Sequence, residues 1–83
     1  MRKRSKLKII MDILAIANGG ANKTKIIYSA NLNFNRANKY LEELTELGLI
    51  FIENINGRMI YRTSEKGREF LKKCKELELS IDL

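Results

Sequence analysis

The sequence contains no histidine, and Cys74 is its single cysteine. No intrachain disulfide can form, and neither a zinc site nor any other cofactor is expected from this residue set. The same absences argue against an enzyme: the commonest general base is missing, and a lone thiol has no imidazole to activate it. No apolar run is long enough to cross a bilayer, so no membrane association is expected. The basic start, Met1 to Lys6, leads into an amphipathic pattern containing Asp12, not into a secretory apolar region, which points to a cytoplasmic protein. No linker, repeat or low-complexity stretch divides the 83 residues, so one small domain spanning residues 1–83 is expected, with too small a core to imply a small-molecule pocket.

What is present is charge, and it is segregated. The net charge is +6. Residues 1–25 carry seven Lys or Arg against Asp12 alone, whereas residues 40–57 carry Glu42, Glu43, Glu46 and Glu53 and no cation. A segregated basic surface is an electrostatic footprint for a polyanion.

Periodicity organises the chain into helices followed by a hairpin. Ser5 can cap a helix with Leu7, Ile10, Met11, Leu14 and Ala17 as its apolar stripe, stopped by Gly19-Gly20. Thr24 is read as the cap of a short helix, Lys25 to Ala30, that buries Ile26, Ile27 and Ala30. Asn31-Leu32-Asn33 reads as a tight turn whose last residue caps a third helix, residues 34–47. There Phe34, Ala37, Leu41 and Leu44 form the buried stripe, Asn35, Arg36, Asn38 and Lys39 the early solvent face, and Glu42, Glu43 and Glu46 the later one. From Leu49 the period changes to that of strands, and Asn56-Gly57 is the favoured type I′ loop. That loop pairs Ile55 with Arg58, Glu53 with Ile60 and Ile52 with Tyr61, with Ile50, Ile52, Met59 and Tyr61 assigned to the core face. Thr63 or Ser64 then caps a C-terminal helix, residues 64–79, in which Phe70, Cys74, Leu77 and Ile81 follow a seam-like spacing suited either to dimerisation or to packing on the same domain.

Helix, short helix, turn, helix and hairpin is the order of a winged helix-turn-helix, a mainly α member of the α+β class with three helices, a two-stranded wing and a C-terminal helix. Asn and Arg near the start of the third helix can donate to and accept from base edges in bidentate fashion, which makes Asn35, Arg36, Asn38 and Lys39 the candidate readers of duplex DNA. Thr24, Lys25 and Arg58 suit phosphate contacts, with Asn56 at the tip of a wing spanning 54–58 and Arg2, Lys3 and Arg4 as a basic N-terminal arm, residues 1–4. The acidic half of the third helix would be repelled by phosphate. An architectural DNA-packing role and a protein-interaction role are alternatives.

Three segments, Thr24 to Tyr28, Tyr40 to Ile50 and Tyr61 to Leu71, resemble those of archaeal winged-helix regulators. The resemblance extends from Ser5 to Leu77. It implies binding of double-stranded DNA as a transcriptional regulator or nucleoid-associated protein, often as a homodimer joined through the C-terminal helix.

Overall fold

The computed structural model describes residues 4–81, with only the main chain of Ile81 included. Its elements run α1 (Lys6–Ala17), α2 (Lys23–Ser29), α3 (Phe34–Glu46), β1 (Ile50–Ile55), β2 (Arg58–Thr63) and α4 (Glu65–Ile81). Side-chain caps start the helices. Ser5 accepts from Lys8 N at 3.0 Å, Asn22 from Lys25 N at 2.8 Å, Asn33 from Arg36 N at 2.8 Å and Ser64 from Gly67 N at 3.0 Å. Each satisfies an amide that the first helical turn leaves without a partner. Asn22 therefore displaces Thr24 as the cap of α2, because the helix begins two residues earlier than its apolar spacing suggests.

Packing around α1 makes the core. Ile9, Met11, Ile13, Leu14 and Ala17 are buried, together with Ile26 of α2 and its C-cap Ala30, Ala37, Leu41 and Leu44 of α3, Leu49, Ile50 and Tyr61 of the hairpin region, and Leu71 and Cys74 of α4. The predicted stripe of α1 is corrected at four places: Leu7 is exposed, Ile10 is only half-buried, and Ile9 and Ile13, outside the stripe, are buried. α1 is covered from several sides, so its apolar arc is wider than one stripe. In α3 the stripe holds from Ala37 to Leu44, but Phe34 is 59% exposed because the short α2 does not cover the first turn.

The hairpin has the expected register, with Ile55 opposite Arg58, Glu53 opposite Ile60 and Ile52 opposite Tyr61. Asn56 and Gly57 have φ of 51° and 82°, the pair of positive values a type I′ loop requires. Core placement is correct for Ile50 and Tyr61 and wrong for Ile52 and Met59, which are exposed. Only the base of the hairpin lies on the helices, and its outer half overhangs into solvent. A second pairing holds that base: Ala21, between α1 and α2, exchanges both main-chain hydrogen bonds with Tyr61, at 2.9 and 2.8 Å. Among the described residues no helix is long and apolar enough to cross a membrane.

Candidate nucleic-acid interface

The cap at Asn33 fixes where α3 begins, and this sets which side chains its exposed front carries. Asn35, Arg36 and Lys39 are exposed and Asn38 is half-buried. Among the described residues, none of these four side chains has a hydrogen bond or an ion pair, so their donors remain available to an outside partner.

Tertiary structure divides the four between the two flanks of the helix. Asn38 lines a cleft of about 420 Å³ between α3 and the wing, with Lys23, Glu42, Glu46, Ile52 and Tyr61 among its walls. Arg36 and Lys39 line a separate depression of about 280 Å³ on the α1 side, with Lys6, Tyr40 and Glu43. By helical spacing Asn35 lies on the crest between them, and Glu42 and Glu46 continue that crest toward the C-terminal end. Glu43 is paired with Lys6 at 3.3 Å, whereas Glu42 and Glu46 have no ion pair among the described residues. A polyanion meeting α3 is therefore attracted to its first two turns and repelled from its last two.

The flanking cations differ in how far they are committed. Thr24 and Lys25 are exposed at the start of α2, and Arg58 and Asn56 are exposed at the wing tip. Arg62, on the same hairpin face as Arg58, is held by Glu53 and by the carbonyl of Gly19 at 2.9 Å. Arg4 is engaged as well: it pairs with Asp12 at 2.9 Å and donates to the carbonyl of Asn31 at 3.1 Å, tying α1 to the turn before α3. Arg2 and Lys3 lie outside the described residues. Lys6 and Lys23 join this surface as well, which no local spacing reveals, because the starts of α1 and α2 come beside α3 only in the folded chain.

In α4, Phe70 is half-buried and Cys74 is buried, both packed on the core, whereas Leu77 is 60% and Leu79 82% exposed. The Ile81 side chain lies outside what is described. Burial pushes the Cys74 thiol pKa up, and the carboxylate of Glu78 adds to the rise. Among the described residues no group of His, Cys, Asp or Glu is arranged to hold a metal.

Helix-turn-helix, an uncommitted polar front on its second helix and a hairpin wing define the winged helix-turn-helix class. The chain belongs to the winged helix-turn-helix family, whose model matches residues 3–81. It is 38% identical over 76 residues to the uncharacterized protein MJ0290 of Methanocaldococcus jannaschii, an alignment covering 90% of this chain. The chain spans 34% of the length of that relative. Among solved structures it resembles Sso10a-2, a DNA-binding protein from Sulfolobus solfataricus, with a TM-score of 0.73 and 32% identity over 95% of this chain and 90% of that one. The likeness to Bordetella bronchiseptica BpsR, whose DNA binding is regulated by 6-hydroxynicotinic acid, has a TM-score of 0.78 but 10% identity, over 89% of this chain and 56% of that one. That likeness concerns the fold alone.

Proposed function

We propose that this chain binds double-stranded DNA through the N-terminal half of α3 and the wing, and acts as a transcriptional regulator without a cofactor. The observation that supports this reading is the uncommitted set Asn35, Arg36, Asn38 and Lys39 on the first two turns of α3; the second helix of a helix-turn-helix is the one that enters the major groove. Arg58, Asn56, Thr24 and Lys25 then contact phosphates on either side, together with Arg2 and Lys3. Family membership and the likeness to a DNA-binding archaeal protein support the same reading. In this reading residues 1–83 form a winged-helix domain that works in the cytoplasm. It pairs with a second copy through α4, where Leu77 extends beyond the helix's own packing surface. Phe70 and Cys74 would contribute to that seam from its half-buried side.

A gel-shift titration against specific and random duplexes at two salt concentrations, with molecular mass measured in parallel, tests the proposal. Sequence preference with a steep salt dependence and a dimeric mass is expected. Equal affinity for every duplex would assign an architectural role instead, and no affinity at low salt would exclude both.

A further inference from the structure

Two of the most exposed large side chains in the described chain are aromatic, and they line the same depression. Tyr28, in the last turn of α2, is 80% exposed, and Phe34, the first residue of α3, is 59% exposed. Together with Lys23, Thr24, Asn33 and Leu32 they border a hollow of about 320 Å³ at the mouth of the helix-turn-helix. Neither ring is needed to close the core, which begins one turn later on α3 at Ala37. Two aromatic faces on one hollow form a joint apolar surface that a planar group can cover.

The charges bordering the hollow select the occupant. Among the described residues no acidic side chain lines it, Lys23 does, and Lys25 is exposed two positions further along α2. The Lys23 ammonium lies 5.3 Å from the centre of the Phe34 ring, so a cation already rests against this π surface and is in reach of an anion arriving with a planar group. Asn33 and Phe34 adjoin Asn35 directly, which makes the hollow continuous with the face assigned to DNA. Planar rings attached to a chain of phosphates meet all of these conditions, and aromatic platforms flanked by cations are how unpaired bases are held. In an intact duplex the base faces are stacked and cannot reach the rings.

We propose that Tyr28 and Phe34 form a stacking site for an unpaired nucleobase of DNA, with Lys23 contacting its phosphate. The chain would then bind preferentially where the duplex carries an extruded or single-stranded base beside the site that α3 occupies. The inference rests on the DNA-binding reading above and adds a second ligand feature to it.

The test compares the full chain on a perfect duplex and on the same duplex carrying one unpaired thymine, by anisotropy of labelled DNA. The bulged duplex is expected to bind more tightly, by about 5- to 150-fold, the range of one aromatic–base stack. Tyr28→Leu and Phe34→Leu keep apolar bulk but remove the flat faces. Each should abolish most of that preference; Tyr28→Leu, outside α3, should change affinity for the perfect duplex by less than about twofold, and Phe34→Leu should weaken the bulged duplex more than the perfect one. Tyr28→Trp should retain the preference and supply the chain's single indole, whose fluorescence is quenched by the bulged duplex. Equal affinity of the wild-type chain for both duplexes overturns the stacking site and leaves duplex binding standing. Equal losses on both duplexes for Phe34→Leu also overturn it, by assigning the ring to the intact duplex. Preference for the unpaired base only within an RNA duplex overturns the assignment to DNA, and failure to bind either DNA overturns the parent reading too.

Discussion

The hydroxyl of Thr63 donates to the main-chain carbonyl of Leu14 at 2.7 Å, joining the end of the wing to the last turn of α1 across 49 positions of sequence. Thr63 is only 2% exposed and is the one buried polar side chain among the described residues. Carbonyls in the last turn of a helix run out of helical donors, and this hydroxyl supplies one from another element. Replacing Thr63 by Val keeps its shape and leaves a buried carbonyl short of a donor. The loss is expected to be about 1–3 kcal/mol, read as a lower denaturant midpoint with an unchanged slope.

Gly67 is a helical glycine whose value lies in what surrounds it. A Cβ there would run into the Leu49 carbonyl oxygen and come within 2.7 Å of Thr63 Cγ2 and 3.1 Å of the Leu49 carbonyl carbon. Gly67→Ala gains about 1 kcal/mol of helix propensity, but main-chain atoms at β1's entrance cannot give way as a side-chain end could. A net loss of about 1–3 kcal/mol is expected. Thermal unfolding should show it, with Cys74 labelling faster as α4 is displaced.

Arg58 and Arg62 share a face of the hairpin and should behave in opposite ways. Arg62→Ala removes the contacts to Glu53 and Gly19, and because the Arg62 and Glu53 side chains are 35% and 42% exposed the loss of stability should stay near about 1 kcal/mol. Arg58→Ala should leave stability within about 0.5 kcal/mol, yet weaken binding to all duplexes alike and flatten the logarithmic salt slope by about 1. Melting curves and DNA titrations on both variants separate these roles.

If each subunit of the proposed dimer neutralises about four phosphates, the logarithmic salt slope should be close to −7, roughly −0.9 for each contact. Arg36→Ala is expected to cost about 1–3 kcal/mol and to relax base preference at one position. Lys25→Ala should weaken specific and random duplexes equally. Equal losses for Arg36→Ala would reassign that side chain to phosphate.

The raised Cys74 pKa means that the folded chain holds the thiol proton more tightly than the unfolded chain does. Its contribution to stability is therefore intact below the ordinary thiol pKa and is lost as pH rises through the folded value. Native Cys74 should react with a disulfide reagent more slowly than the denatured chain at neutral pH. The difference in stability between wild type and Cys74→Ala should shrink on the alkaline side.

Local chemistry made much of this fold legible. The Asn33 cap, the positive-φ residues Asn31, Asn56 and Gly57, and the hairpin register all follow from side chains acting within a few residues of themselves. The front of α3 was legible for the same reason: helical spacing alone puts Asn35, Arg36 and Lys39 outside. Where the buried arc extends was not, as Leu7, Ile13, Phe34, Ile52 and Met59 show. Their burial depends on how far a neighbouring element reaches, and short helices and an overhanging wing reach less far than apolar spacing suggests.

By itself, the sequence determined the order of elements, the turn geometries and the sign of charge along α3, because each arises from interactions between residues close in the chain. Only the tertiary structure decided that, among the described residues, Arg4 and Arg62 are engaged while Arg58 is not, that Lys6 lies beside Arg36 and Lys39, and that Tyr28 and Phe34 border one hollow. These relationships join residues from different elements. Whether a cation or a ring is available to a partner depends on which neighbours packing places within its reach, and that is settled only when the helices close around α1.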